Sequence, residues 1–410
     1  MTKLMIIALS VIILTLNSCK DNCYTIEKQM VSVADYGDLA TVLNSFEVQP
    51  ARTIKKPGNI YTFGNYLFVC EHEKGIHILD NTNPSNPTGL KFIKLEGNDN
   101  IAVKANFLYA DNGTRLLTLD INDLNNIKIV NSIDDVFSER IQNGKLIVGY
   151  HFEEKLEKVP CNTTTRSILL SKSDQQLMTS SAESSGVGGK GGSLARFAIV
   201  DNYLYIAKFD KFIPFNISNL TSPIKGLALG FPNSDAETCF PYKDYLFFGA
   251  SSGVYIYNYK KSPESPAWES TINHIVGCDP VVAQGEYAFS TIRDGAICRT
   301  RNGQNSLFVF DIKNIKTPKD VSTTQQKSPY GLGIKGNLLF VCNGLNGLFV
   351  YDWNEATETI TPINSYPDIH AFDVIINGNT LIVTADNGLF QFDCSNPNNI
   401  RYLSTLAQFN

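Results

Sequence analysis

The feature that most constrains this chain is a sequence repeat of about 42 residues, clearest in GNYLFVCEHEKGIHILDNTNPSNP at 64–87. A chain that repeats at this length is built from copies of one supersecondary unit, and neighbouring copies bury the faces that one copy leaves exposed. The second apolar residue of the YLFV run marks each copy. It occurs at Leu67, Leu108, Leu146, Leu204, Leu246, Ala288, Leu339 and Leu381, with insertions in the third and sixth copies.

Each copy predicts four β-strands. An apolar run comes first, then a turn of Gly, Asn or Asp, and then the YLFV strand. A loop leads to a third strand of the type GIHILD, and an Asn- and Pro-rich turn leads to a weaker fourth strand. Runs of β-branched and aromatic residues bounded by such turns are typical of strands.

Four strands per copy and this repeat length indicate the blades of a β-propeller. We therefore predict an all-β chain that forms a β-propeller of four-stranded blades. The eight copies favour eight blades, and seven are expected if the degenerate third copy is not a full blade. The propeller is predicted to span 51–410, with insertions at 159–193 and 292–305.

The strand pair YLFV…GIHILD and the N-x-x-x-P segment after it resemble the LVIVD-repeat family of propeller-like secreted proteins, over about 53–409. The segment GGSLARFAIVDNYLYIA at 191–207 is similar to lipoprotein members of that family. The resemblance implies a propeller fold. It implies no activity, because no catalytic motif is part of the repeat pattern.

The N-terminus predicts a lipoprotein signal peptide over 1–18. Lys3 supplies a positive charge, residues 4–16 are apolar but too short to span a bilayer, and the sequence Leu-Asn-Ser-Cys follows. This ending resembles a bacterial lipobox, whose cysteine, here Cys19, is diacylated. The alternative is an ordinary signal peptide that happens to contain a cysteine. Residues 19–50 are predicted to be the lipidated N-terminus and a tether, in which a short strand is allowed.

A lipidated Cys19 predicts attachment to a membrane, since several acyl chains on one residue anchor a protein stably. The sequence resembles lipoproteins of Bacteroidetes-type bacteria. We therefore expect an outer-membrane lipoprotein of the cell envelope, on the periplasmic side or at the cell surface. Only Asp21 is acidic directly after the cysteine, and this leaves the choice between the two sides open.

Charge and cysteine spacing limit the classes of partner. The net charge of −5 is spread without large blocks, so nucleic acid is not expected as a partner. No cysteine lies in a CxxC motif or at zinc-ligand spacing from a histidine, so we expect no metal and no cofactor. Cys278 and Cys298 flank one hairpin of the sixth copy and are the pair predicted to form a disulfide, since disulfides are permitted outside the cytosol.

Loops on one face of a propeller are the expected place for a ligand, because loops on a rigid scaffold usually carry function. The loops between second and third strands, the segments before the innermost strands and the sixth-copy insertion supply acids, bases, amides and aromatics. This mixture suits a polar ligand such as a glycan or a peptide, and the alternative is that they are ordinary turn residues. The candidate ligand-binding residues are His72, His151, Arg196, Glu237, Asp279, Arg293, Arg299, Tyr330 and His370.

Aspartates close the third strand in several copies and invite a calcium hypothesis. Asn216 and Asn258 replace aspartate in other copies, and an Asn/Pro turn follows each time. A side-chain oxygen that caps the turn explains both residue types. We therefore predict turn caps at Asp80, Asp120, Asp311, Asp352 and Asp393.

Three functional hypotheses follow, and no residue is predicted to be catalytic, because the sequence has no H-E-x-x-H motif and no G-x-S-x-G nucleophile elbow at a strand-to-helix turn. The first, which we favour, is a non-catalytic binding module for a protein or glycan partner. The second is a carbohydrate-active enzyme whose axial pocket gathers His72, His151, Glu237, Asp279 and His370. The third is a scaffold subunit of an outer-membrane complex, which predicts a broad exposed apolar patch.

Overall fold

The structure, a computed structural model, describes residues 24–160, 190–231, 236, 238–273, 280–293 and 305–407. Most of this backbone is β-strand. The two helices are short, namely α1 (Leu39–Leu43) and the 3-10 helix η1 (Ser138–Arg140). In the described ranges, none of the helical segments is long and apolar enough to cross a bilayer. The prediction of an all-β chain is confirmed.

The strands build blades that are numbered I to VII in chain order. Two strands precede the ring, β1 (Tyr24–Gly37) and β2 (Glu47–Pro50). Blade I contains β3 (Pro57–Phe63), β4 (Tyr66–Glu71), β5 (Gly75–Asp80) and β6 (Thr88–Lys94). Blade II contains β7 (Ile101–Lys104), β8 (Phe107–Asn112), β9 (Arg115–Asp120) and β10 (Lys128–Ile133). Three strands outside the regular pattern follow, β11 (Ile141–Gln142), β12 (Lys145–Pro160) and β13 (Lys190–Gly191).

The remaining blades continue the same order. Blade III contains β14 (Phe197–Val200), β15 (Tyr203–Lys208), β16 (Lys211–Asn216), β17 (Ile224–Lys225) and β18 (Leu229–Gly230). Blade IV contains β19 (Phe240–Tyr242), β20 (Tyr245–Ala250), β21 (Gly253–Asn258) and β22 (Ala267–Asn273). Blade V contains β23 (Val281–Gln284), β24 (Tyr287–Ile292), β25 (Ser306–Asp311) and β26 (Lys319–Gln325). Blade VI contains β27 (Leu332–Lys335), β28 (Leu338–Cys342), β29 (Leu348–Asn354) and β30 (Thr359–Tyr366). Blade VII contains β31 (Ala371–Asn377), β32 (Thr380–Ala385), β33 (Gly388–Asp393) and β34 (Arg401–Ala407).

The blades close into a ring, which confirms the predicted β-propeller. The innermost strands contact one another in the order β3, β7, β14, β19, β23, β27 and β31, and β31 contacts β3 again. The described strands form eight sheets, as many as the sequence copies, and seven of these are blades of the ring. Because β7 contacts β14 directly, the third copy has no place between blades II and III. The ring therefore has the seven blades that were expected if the degenerate third copy is not a full blade.

The third copy forms a three-stranded sheet beside the ring. Its YLFV-type strand is β12, which pairs with β11 at Ile141↔Leu146 and with β1 from Tyr24↔Pro160 to Gly37↔Leu146. Residues 24–50 therefore differ from the predicted tether: they form β1, α1 and β2. The strand β2 also pairs with β6, so the first blade begins before residue 51.

A glycine that opens the third strand is required by close backbone packing. Gly75 has a φ of +139°, and a Cβ on it would lie 2.0 Å from the carbonyl oxygen of Ile93 in the fourth strand. Gly253 in blade IV has the same conformation, and its Cβ would lie 2.3 Å from the oxygen of Ile272. Only glycine fits this position without moving the outer strand.

The predicted turn caps are confirmed in four of the five aspartates. The side-chain Oδ1 of each accepts the N–H two residues later, and Asn216 and Asn258 do the same in their copies. Asp352 differs, since its Oδ1 accepts from Asn337. The four capping aspartates are Asp80, Asp120, Asp311 and Asp393.

The ring closes between its first and last blades through a buried amide pair. Asn81 donates to Gln391 Oε1 at 2.9 Å, and Gln391 donates back to Asn81 Oδ1 at 2.8 Å. Ser404 Oγ donates to the carbonyl oxygen of Pro84 at 2.6 Å. Apolar side chains of both blades, including Leu67 and Ile382, form a common core cluster.

Four cysteines, Cys70, Cys239, Cys342 and Cys394, are buried and free. Cys70 and Cys342 fill equivalent strand ends of distant blades as small apolar residues. The predicted disulfide partners, Cys278 and Cys298, and the predicted lipidation site, Cys19, lie outside the described residues.

Candidate functional site

The candidate site is the loop face, which we define as the face that holds the loops between second and third strands. An innermost strand starts at the face where the third strand also starts, because alternate strands of a blade run in the same direction. The residues just before β7, β14, β27 and β31 therefore share this face with the loops after β4, β8 and β32. Among the described residues, this face holds two groups of charged and aromatic side chains, one on blades I and II and the other on blades V to VII.

The first group, the His72 cluster, contains His72, Glu73, Asp99, Asp111 and Arg140. His72 Nδ1 lies 3.0 Å from Asp99 Oδ1, across the boundary between blades I and II. His72 Nε2 lies 3.1 Å from Glu73 Oε1, as an ion pair that lacks hydrogen-bond geometry. His72 is thus placed between two carboxylates.

The charge of His72 follows from this placement. Burial by itself would lower the pKa of His72, but the hydrogen bond to Asp99 and the negative charges of Asp99 and Glu73 raise it to about 10. Burial would raise the pKa of Asp99, but His72, Arg140 and Arg196 lower it overall. His72 is therefore an imidazolium at neutral pH, and Asp99 is its carboxylate partner.

Asp111 fixes the segment that carries Asp99. Its buried Oδ1 accepts the N–H groups of Asp99 and Asn100, both at 2.9 Å, and the side-chain amide of Asn98 at 2.7 Å. Its Oδ2 accepts from Arg140 Nη2 at 2.5 Å. Arg140 belongs to η1, so the third copy supplies a cation to a site built on blades I and II.

Glu73 links the same cluster to β12. A Cβ on Gly149 would lie 1.1 Å from Glu73 Oε1, so this carboxylate fills the space beside the glycine backbone. His151 lies two residues further along β12, and its side chain is outside the described part of the chain. The enzyme hypothesis placed His72 and His151 in one pocket. For His151, only the backbone position in β12 is described.

The second group, the Tyr330 cluster, spans blades V to VII. The guanidinium carbon of Arg293 lies 3.9 Å from the centre of the Tyr330 ring, a cation–π arrangement. Phe372 meets the same ring edge-on at 4.9 Å. His370 Nδ1 lies 2.8 Å from Asp386 Oδ1, and this pair is more exposed, with 38% and 46% of the side chains accessible.

The axis of the ring, where an enzymatic pocket was one hypothesis, is occupied by the chain itself. We call residues 190–196, which run from β13 to the start of β14, the axial segment. Gly192 N–H donates to the carbonyl oxygen of Ile60 in blade I, and Cys239 N–H of blade IV donates to Ala195. A cavity that Lys190 and Gly191 line together with inner strands has a volume of about 30 Å³, room for about one water molecule.

A larger depression of 340 Å³ lies between η1 and blade III. Its lining residues are Ser138, Glu139, Lys208, Phe209, Asp210 and Lys211. Lys208 is almost fully buried, and its Nζ lies 2.8 Å from Glu139 Oε2. Burial lowers the pKa of Lys208, with Glu139 opposing the shift. The cations of this depression are thus already paired with acids.

The sequence-predicted residues do not converge on one point. His72 and Arg196 meet near Asp99, while Arg293 and Tyr330 form the second cluster and His370 lies beside it. Glu237, Asp279 and Arg299 lie outside the described residues. Asp99 and Asp111 were not singled out from the sequence as site residues, because one precedes a strand and the other lies in a turn-like DNG segment. Within the described ranges, no group of three His, Cys, Asp or Glu residues is arranged to hold a metal ion.

Exposed apolar side chains occur on the outer strands of different blades, such as Trp268, Ile363 and Tyr402, and also in other places, such as Leu345 in a loop of the loop face. Ile224 and Leu227 are neighbours at the edge of blade III. The outer strand is divided into β17 and β18 opposite Pro214 of β16, because proline has no N–H to donate to the outer strand. The carbonyl oxygen of Pro214 still accepts the N–H of Gly226. Single exposed apolar residues are common on protein surfaces. Among the described residues, these exposed side chains lie on several different blades rather than in one continuous row.

The closed ring of antiparallel blades makes this protein a β-propeller. Residues 56–93 and 191–226 match the LVIVD repeat family, so the chain contains LVIVD repeats, as its sequence resemblance predicts. No curated protein matches the sequence.

Several solved structures share the fold. The periplasmic gluconolactonase of Pseudomonas aeruginosa is 12% identical, with a TM-score of 0.54 over 85% of this chain and 95% of that chain. A protein from Lactobacillus plantarum is 13% identical, with a TM-score of 0.54 over 86% and 96%. The computationally designed Ika8 protein is 12% identical, with a TM-score of 0.52 over 88% of both chains. At such identities the likeness concerns the fold alone.

Proposed function

We propose that this protein is a lipid-anchored protein of the bacterial cell envelope, whose propeller is a non-catalytic binding module for a protein or glycan partner. The observation that carries the proposal is the loop face. Its two clusters hold charged and aromatic side chains in fixed positions on a closed ring. Groups that are already ordered lose little conformational entropy when a partner binds, which favours affinity.

The chemistry of the two clusters suits a polar partner. The His72 cluster combines an imidazolium that is charged at neutral pH with carboxylates and Arg140, and Arg196 lies near its Asp99. The Tyr330 cluster combines aromatic rings with Arg293, and the exposed His370–Asp386 pair lies beside it. Hydroxyl groups, carboxylates and backbone amides of a glycan or polypeptide are complementary to these donors and acceptors.

Surface binding is favoured over axial catalysis by the position of the axial segment. A glycosidase needs two carboxyl groups on either side of its substrate. At the axis of the described ring, the space between the blades is filled by residues 190–196, and Asp373 is bonded to Ser193. Glu237 and Asp279, which the enzyme hypothesis also named, lie outside the described residues.

The anchor is supported by the sequence before β1. The apolar segment and Cys19 resemble a lipobox, and such an anchor would tie the chain to an outer membrane, on its periplasmic side or at the cell surface. Mass spectrometry of the mature N-terminus and detergent phase partition test this part. We expect acylated Cys19 and detergent partition in the wild type, and an aqueous, unacylated protein after Cys19→Ala. An unmodified Cys19 in the wild type would refute the anchor.

Binding is tested by recovering the protein from gently solubilised native membranes and identifying its partners by mass spectrometry, with a glycan array in parallel. Two variants address the loop face, Arg196→Ala and the double change His370→Ala with Asp386→Ala. Lys128→Ala is the matched control, since this exposed lysine starts the outer strand of blade II near the opposite face.

We expect a stoichiometric partner or a glycan that binds the wild type and the control, and that binds at least one loop-face variant about tenfold or more weakly. A partner that all variants bind equally would place the interaction elsewhere on the protein. Turnover of a glycan by the wild type would refute the non-catalytic assignment.

A further inference from the structure

We propose that the axial segment, residues 190–196, is a pH-controlled latch, which Asp373 holds closed while its carboxyl group is protonated and releases when that group ionises. The proposal concerns the channel of the ring and is independent of the partner proposed for the loop face. It rests on the contacts between this segment and the innermost strands.

The axial segment is bound across the channel as an added strand. Lys190 and Gly191 pair with Thr62 and Tyr61 at the inner edge of β3, and Gly192 continues the hydrogen bonding to Ile60. Leu194 and Ala195 are buried among the blades. The segment therefore occupies a strand-binding site that blade I would otherwise expose.

Asp373 holds the middle of the segment. Its Oδ1 accepts both the N–H and the hydroxyl of Ser193, at 3.0 and 2.9 Å. Ser193 Oγ in turn accepts the N–H of Leu332 at 2.7 Å. One serine thus joins the segment to blades VI and VII, and both its donor and its acceptor capacity are used.

The other oxygen of Asp373 makes the closed state sensitive to charge. Oδ2 is buried and has no hydrogen-bond partner among the described residues, and it faces Gly192, where an added Cβ would lie 2.0 Å away. Asp373 is 2% exposed. Burial raises the pKa of Asp373 well above its usual range, against the smaller effects of its bonds to Val374 and Ser193.

The groups around Asp373 offer its carboxylate little compensation. The axial segment presents Ser193 and Gly192, blade VI presents Gly331 and the Cys342 thiol, and Thr384 of β32 donates to the backbone carbonyl oxygen of Asp373. Cys342 is the titratable member of this set, and burial together with Asp373 raises the pKa of its thiol. Among the described residues, none of those that act on the pKa of Asp373 is a cation.

The direction of the pH effect follows from linkage. In an open state Asp373 would be hydrated, with an ordinary pKa of about 3.9. Closing the latch therefore takes up a proton at any pH between this value and the higher pKa of the closed state. Across that interval the opening equilibrium constant increases up to tenfold per pH unit, and above it the constant levels off. Low pH favours the closed latch and high pH favours the open one.

Hydrogen exchange of the mature protein, read by mass spectrometry from pH 5 to 8, tests the latch. Protection factors, which correct for the intrinsic effect of pH on exchange, are compared for peptides that cover 190–196 and for peptides that cover β28. We expect the protection of the axial segment to fall with rising pH, by up to tenfold per unit, while β28 stays constant. In Asp373→Asn, which keeps the shape but cannot ionise, protection is expected to be independent of pH.

Equal pH dependence in the wild type and in Asp373→Asn would overturn the proposal, as would a loss of protection in β28 that matches the loss in the segment. Ser193→Ala is the second variant. It keeps the acid but removes the hydroxyl, so it should open more at every pH while retaining the slope. Because the wild-type comparison with β28 needs no variant, poor folding of either variant leaves the test intact.

Discussion

At the scale of single residues, the His72 cluster makes a direct prediction about charge. His72 lies between Asp99 and Glu73, and we expect a titration midpoint of about 10 for its ring, followed by NMR of the histidine carbons. Asp99→Asn should bring the midpoint back toward the ordinary value of about 6.5, because the nearest carboxylate is lost. A wild-type midpoint near 6.5 would show that His72 is not paired as described.

The same pair predicts how stability depends on pH. Since the folded-state pKa of His72 is raised, its contribution to the free energy of unfolding is complete below about pH 6.5 and is lost as pH rises toward 10. Chemical denaturation should show this loss in the wild type. His72→Gln should be less stable at pH 6, and the difference from the wild type should shrink by pH 10. A difference that is constant with pH would contradict the ionic pairing.

Gly192 provides a third prediction at the residue scale. Its Cβ would meet the buried Asp373 carboxylate, so Gly192→Ala should destabilise the protein by about 1–3 kcal/mol or displace the axial segment. Gly333→Ala, in the neighbouring strand β27, is the matched control, because its Cβ would have ordinary contacts of 3.4 Å or more. The test compares the denaturation midpoints of Gly192→Ala and Gly333→Ala. Equal midpoints would show that the axial segment is not tightly packed against Asp373.

At the scale of elements, helix α1 secures the three-stranded sheet to blade II. Val42 is 2% exposed and packs over Gly97 and Gly113, and Asn112 donates to its carbonyl oxygen at 3.0 Å. The sequence marked the third copy as degenerate, but its docking could not be predicted. The partner strand β1 is about 110 residues away along the chain, and its pattern is weak.

We expect Val42→Ala to loosen this docking by roughly 1–3 kcal/mol, since two buried methyl groups are removed. Hydrogen exchange should become faster in 39–43 and at the base of β12, with β8 and β9 unchanged. Leu39→Ala, on the exposed side of the same helix, should have little effect. Faster exchange throughout blade II would instead mean that α1 is part of the core of the ring.

At the scale of the whole molecule, the stability of the ring depends on how blades I and VII meet. The Asn81–Gln391 amide pair is buried and joins residues 310 positions apart in sequence. Asn81→Ala and Gln391→Ala should each destabilise the protein by roughly 1–3 kcal/mol, because each leaves a buried amide without its partner.

The double variant should be less destabilised than the sum of the two changes, by about 0.5–3 kcal/mol, since the two amides satisfy each other. Free energies of unfolding from chemical denaturation provide this cycle. Strict additivity would show that the two blades meet without energetic coupling through this pair. A control pair on the exposed turns, Asn83 and Asn396, should behave additively, because these side chains cap separate turns.

The repeating blade and its turns could be predicted from the sequence, because strand periodicity, turn residues and capping aspartates are local properties with local physical causes. The ring of seven blades, the folding of 24–50 onto it and the position of residues 190–196 at its axis became evident only from the three-dimensional structure. These features depend on contacts between residues far apart in the chain, such as Ser193 with Asp373 and Asp99 with His72. A single sequence does not encode such distances in its periodicity, so the loop-face residues could be named in advance but not grouped.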